Sequence, residues 1–165
     1  MKNIVLIGMP ASGKSTVGVI LAKTLGKDYL DTDLLIQKKE GELLQTLIDR
    51  EGMEAFLKAE ERALLSIDAE NTVIATGGSA VYSESAMKHL AQSGDIVYLE
   101  LPLETIAERL DNINTRGIAM KKGETLESLY QKRIPLYEKY GDILIHSQGK
   151  TVEQTVEAII SKLPQ

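Results

Sequence analysis

Residues 4–18, IVLIGMPASGKSTVG, carry the decisive reading. An apolar run, Asn3–Ile7, has the short β-branched character of a buried strand. It passes into a glycine loop and then into an amphipathic stretch that opens on a lysine and two hydroxyls. Gly8, Gly13, Lys14 and Ser15 complete the pattern G-x-x-x-x-G-K-[ST] between a strand and a helix. Glycines there let backbone N–H groups converge on phosphate oxygens, and the helix N-terminus adds its dipole. Lys14 is placed to reach the β- and γ-phosphates, and the Ser15 hydroxyl to meet Mg²⁺. The run Ala11, Ser12, Gly13, Lys14, Ser15 and Thr16 is the expected nucleotide-binding segment. What remains is which molecule receives the phosphate.

Working outward, 165 residues make one domain with a core of its own. Hydrophobic content of 43% and charged content of 26% are ordinary globular values. A net charge of −5 argues against a sequence-independent nucleic-acid binder, which needs a basic face. The chain has no cysteine, which excludes a disulfide framework or a thiolate metal site. No run approaches the length of a membrane span, and the N-terminal apolar run is too short for a signal segment. The expectation is a cytoplasmic, monomeric protein with no nucleic-acid or membrane partner.

Further strand candidates are Tyr29–Asp31, Thr72–Ala75, Ile96–Leu101 and Ile143–His146. Helical patterns separate them: KSTVGVILAKTLG ending on Gly26, SESAMKHLAQSG beginning at a serine cap and ending on Gly94, and TVEQTVEAIISKL. Strands alternating with helices predict an α/β fold, a parallel sheet covered on both faces. Ligands in such sheets sit at the carboxyl ends of the strands, where the motifs fall. Two segments break the alternation. Residues 34–71 are helical and charged with no strand, and are read as a small substrate-binding lobe. Residues 112–124 mix glycine, asparagine and basic residues without period, and are read as a mobile lid.

YLDTD supplies Asp31 and Asp33 at the end of the second strand. At that spacing one carboxylate can serve a metal while the other faces an acceptor hydroxyl; a polar turn or helix cap explains the pair as well. Phosphoryl transfer needs positioning, charge neutralisation and a group to orient the nucleophile. Glu100 lies within a strand, where alternation turns it to a side face. Thr76-Gly77-Gly78-Ser79 ends the third strand, where glycines allow close backbone approach to a ligand. The arginines are Arg50, Arg62, Arg109, Arg116 and Arg133. Arg116, in the lid segment, is best placed to close over a transferring phosphoryl.

Nearly end to end, the chain resembles the shikimate kinases, a branch of the P-loop small-molecule kinases. The likeness runs through GMPASGKSTVG, YLDTD, REGMEAFLKAEERAL, VIATGGSAV, VYLELPLETIAERL, Arg116 and RIPLYEKYGD. It implies a three-layer P-loop kinase fold with a five-stranded parallel sheet, using ATP and Mg²⁺ to phosphorylate a small hydroxylated acid. Under that resemblance Ser15 and Asp31 serve the metal, and Asp33 binds and orients the acceptor hydroxyl. Gly77 and Gly78 contact the substrate through backbone, Arg109 lies against adenine, Arg116 is the lid arginine and Arg133 holds the substrate carboxylate. Lys14, Asp33 and Arg116 form the catalytic set.

Three positions depart from the family pattern. Leu57 stands where the family has a second carboxylate-binding arginine, Ser79 replaces the third glycine of T-G-G-G, and Gly117 follows the lid arginine. Losing a bidentate arginine from a buried carboxylate costs about 2–5 kcal/mol. It leaves Glu60 without the family's cation. The acceptor is therefore shikimate, or another small hydroxy or amino acid such as homoserine, whose ammonium Glu60 or Asp33 could meet. A nucleotide-binding module without transfer is the alternative from another class. A nucleotide kinase is disfavoured, because those ring the acceptor phosphate with several arginines.

Overall fold

The apolar runs form one parallel sheet in the computed structural model, which describes residues 2–111 and 123–164. Its strands are β1 (Asn3–Ile7), β2 (Asp28–Asp31), β3 (Thr72–Ala75), β4 (Gly94–Glu100) and β5 (Ile143–His146). They lie in the order β2-β3-β1-β4-β5. β1 is therefore central, hydrogen-bonded in parallel to β3 and β4. β4 starts two residues before the expected Ile96, because Gly94 opens the strand in extended backbone instead of closing the helix before it.

The alternation of side chains along each strand divides the core in two. Val5, Ile7, Ile74, Ile96 and Tyr98 face one side; Ile4, Leu6, Val73, Val97 and Leu99 face the other. Against the first side pack α5 (Glu84–Ser93), α7 (Leu126–Tyr140) and part of α4 (Met53–Leu65), through Met87, Leu90, Leu129, Tyr137 and Leu64. Against the second pack α1 (Lys14–Leu25) and α8 (Val152–Lys162), through Val17, Leu21, Val156 and Ile159. Two-sided burial explains why these strands read as continuous apolar runs. Each such side chain contributes about 1.5–3 kcal/mol of transfer free energy.

Between β2 and β3 run α2 (Thr32–Glu40), α3 (Leu44–Glu51) and α4. They enclose a small core of their own: Ile36, Leu44, Leu47, Phe56, Ala59 and Ala63. Adjacent residues of α4, Ala63 and Leu64, serve this core and the main one respectively, so the helix ties the two together. α6 (Leu103–Asp111) follows β4. Arg116 and residues 112–122 of the segment read as a lid lie outside the described residues. Among the described residues no helix is long and apolar enough to cross a membrane.

Candidate active site

The loop after β1 is held by backbone conformations that few residues adopt. Gly13, at φ 93°, ends the loop and begins α1, a left-handed position that glycine occupies without steric cost. Ala11 is held at φ 65°, where a side chain is disfavoured; such strain clusters at functional sites. Lys14 is buried, its Nζ donating to the carbonyl oxygens of Gly8 at 2.7 Å and Met9 at 2.8 Å. The ammonium is thus centred in the mouth of the loop. From α6, Arg109 Nη1 donates to the Ala11 carbonyl at 2.9 Å, placing that guanidinium against the loop's outer side. Ser12 is buried within the loop and Thr16 is exposed at its rim.

At the end of β2, Asp31 does two things at once. Its Oδ1 accepts the N–H groups of Asp33 (2.9 Å) and Leu34 (3.4 Å), capping α2. Its Oδ2 accepts the Ser15 hydroxyl at 3.1 Å and the Tyr29 hydroxyl at 3.4 Å. The helix cap and the acid that meets Ser15 are one residue. Burial, then the Asp31 charge, push the Tyr29 phenol up to about 12, so it stays a donor. Asp33, in the first turn of α2, turns toward β3 instead.

A cleft of about 240 Å³ runs from the phosphate loop to the β3 end, lined by Lys14, Ser15, Asp33, Gly77, Gly78 and Arg133 among others. The glycine pair has a cause beyond backbone approach to a ligand. A Cβ at Gly77 would lie 2.8 Å from Asp33 Oδ1, and one at Gly78 would lie 2.7 Å from Arg133 Nη1 and 2.9 Å from Pro10 Cδ. The pair makes room for the site's own side chains. The Gly77 N–H is engaged by the Thr32 hydroxyl at 3.3 Å, and the Gly78 carbonyl accepts the Tyr137 hydroxyl at 2.6 Å. Arg133, buried to 1% exposure in α7, donates from Nε to the Tyr82 hydroxyl at 3.1 Å and lies 5.2 Å from that ring's centroid. A rigidly held guanidinium at the cleft wall suits a carboxylate.

Beside this cleft lies Glu60, 2% exposed on α4. Its Oε1 accepts the Ser79 hydroxyl at 2.6 Å. Its Oε2 is buried and has no hydrogen-bond partner among the described residues. Burial raises this carboxyl to about 7; the Ser79 bond and the Arg133 charge oppose the rise, and the Asp33 charge adds to it. Leu57 is half-buried and lines a separate hollow with Glu60, Ser79, Tyr82 and the exposed Lys58.

The structure thus brings together Lys14, Ser15, Asp31, Asp33, Gly77, Gly78 and Arg133, with Arg109 at the loop. Glu100, set aside on strand alternation, bonds His146 of the adjacent strand instead of entering the cleft. The sequence reading did not find Tyr82 and Tyr137, which hold Arg133 and Gly78, nor that Ser79 is the direct partner of Glu60. The T-G-G-S departure was the visible signal of the last.

A model of the family described as "Shikimate kinase" matches residues 10–164. The chain is 35% identical over 164 residues to a shikimate kinase of Sulfurihydrogenibium sp. (strain YO3AOP1), covering 99% of this chain and 98% of that protein. It is 38% identical over 162 residues to one of Francisella tularensis subsp. novicida (strain U112), covering 96% and 92%. Among solved structures, shikimate kinase from Acinetobacter baumannii in complex with shikimate superposes with a TM-score of 0.84 at 28% identity, covering 99% of this chain and 96% of that one.

Proposed function

From the premise that this chain belongs to the shikimate kinase family, we propose how its residues carry an ATP-dependent phosphorylation of shikimate to shikimate 3-phosphate. The chain is a phosphotransferase with an alcohol acceptor, built on a P-loop kinase fold. One observation supports the reading most: the phosphate loop, an aspartate and a buried arginine line a single cleft.

The loop backbone and Lys14 hold the β- and γ-phosphates, and Arg109 lies along the adenine side. The Ser15 and Asp31 oxygens, 3.1 Å apart, suit Mg²⁺, which takes one or two protein ligands and fills its shell with waters and substrate phosphates. When bound, the ion neutralises charge on the β- and γ-phosphates. Asp33 orients the acceptor hydroxyl and accepts its proton as the new oxygen–phosphorus bond forms. Arg133 binds the acceptor carboxylate and the glycine pair fixes the distance between the two. Arg116 supplies charge to the transferring phosphoryl from the 112–124 segment, and residues 34–71 carry the acceptor side of the cleft.

A coupled assay of ATP consumption with Mg²⁺ and shikimate tests the reading. Saturable turnover at sub-millimolar shikimate is expected. ATP binding without turnover on shikimate would overturn it.

A further inference from the structure

Glu60 is the unexplained group beside this cleft. One oxygen of a fully buried carboxylate is anchored by Ser79 and the other has no hydrogen bond among the described residues. That second oxygen lies beside Gly77: a Cβ there would be 3.2 Å from Glu60 Oε2 and 2.8 Å from Asp33 Oδ1. Two carboxylates therefore flank Gly77, Asp33 from the cleft that Gly77 lines and Glu60 from the adjoining hollow. Leu57, one turn earlier on α4, brings no charge to it, and Lys58, though exposed, lines the same hollow as Glu60. A buried carboxylate with an unmade bond is costly unless a donor meets it. A hydroxy acid can offer that oxygen a hydroxyl; a zwitterion offers a charged ammonium, with a carboxylate on the same carbon.

We infer that this site also phosphorylates small hydroxylated α-amino acids, with the ammonium on Glu60 Oε2, the carboxylate on Arg133 and the side-chain hydroxyl on Asp33. The inference rests on the phosphotransfer reading above. The acceptor oxygen attacks the γ-phosphorus of ATP, and the bond from that phosphorus to the β,γ-bridging oxygen breaks with its electron pair leaving on ADP. The hydroxyl proton passes to Asp33. The products are ADP and the amino-acid phosphate ester.

The test runs ATP turnover by the full chain on four compounds in parallel: shikimate, L-homoserine, L-serine, and 4-hydroxybutyrate, which is homoserine without its amino group. We expect homoserine turnover with kcat/KM at least tenfold above that for 4-hydroxybutyrate. Glu60→Gln should abolish that preference, and Leu57→Arg, which gives Glu60 an internal cation, should depress homoserine turnover and lower KM for shikimate. Equal turnover of homoserine and 4-hydroxybutyrate, or none of either amino acid, overturns the inference and leaves Glu60 as an anchor for Ser79. Shikimate turnover in those same assays shows whether the family activity stands independently. Because the amino-group comparison is made on the unaltered protein, it decides the matter even if a Glu60 variant fails to fold.

Discussion

Gly78 and Asp33 show how narrow the tolerance is at the scale of one residue. The Cβ of Gly78→Ala would sit 2.7 Å from Arg133 Nη1, with Pro10 closing the other side, so the guanidinium must give way. Displacing a positioning group by a fraction of an ångström is enough to lose much of its contribution. We expect KM for the acceptor to rise about tenfold, with KM for ATP unchanged. Steady-state kinetics on both substrates check this, and an unmoved acceptor KM would remove Arg133 from binding. Asp33→Asn keeps the shape and removes the proton-accepting charge. Turnover should fall by about two or more orders of magnitude while ATP affinity, measured by titration, stays within twofold. Near-normal turnover would take Asp33 out of the chemistry.

At the scale of elements, the junction of β2 and α2 carries two roles that one substitution separates. Asn caps helices about as well as Asp, so Asp31→Asn should leave stability within about 0.5 kcal/mol. Removing the charge beside Ser15 should raise the Mg²⁺ concentration for half-maximal rate about tenfold. A thermal melt and a Mg²⁺ titration read the two effects apart; loss of stability without a changed Mg²⁺ requirement would make Asp31 a cap alone. The elements themselves were open to sequence reading where their causes are local. Gly13 and Lys14 fix the start of α1, and Thr151 with Gln154 forms the capping box that opens α8. What sequence could not supply were contacts between distant segments. Ser79 with Glu60, Arg133 with Tyr82 and Tyr137 with Gly78 join residues 19, 51 and 59 positions apart. Gly77 and Gly78 were legible as a close approach, but what approaches them was not, since Asp33 and Arg133 arrive from other elements.

Across the whole molecule, Glu60 links the acceptor site to the stability of the fold. Its carboxyl titrates at about 7 in the folded protein against an ordinary value of 4.5. Between those values the folded state holds a proton that the unfolded state has released. Stability must therefore fall as pH rises through that window, and the loss is complete above about 7. Tyr29, Tyr98, Tyr130, Tyr137 and Lys132 are raised as well, from ordinary values of 10 or more, so they do not titrate in that window. The shift corresponds to a loss on the order of 3 kcal/mol, and each kcal/mol moves the melting temperature of a chain this size by about 2–4 °C. Glu60→Gln removes the titration. Its melting temperature should lie close to that of the unaltered protein at pH 5 and several degrees above it at pH 8, as read by calorimetry at the two values. Parallel pH curves for the two proteins would mean that the Glu60 carboxyl is not desolvated as the fold implies. Divergent curves would mean that the fold carries at neutral pH a charge that weakens it. An ammonium-bearing acceptor would relieve that charge, so homoserine should raise the melting temperature at pH 8 more than 4-hydroxybutyrate does.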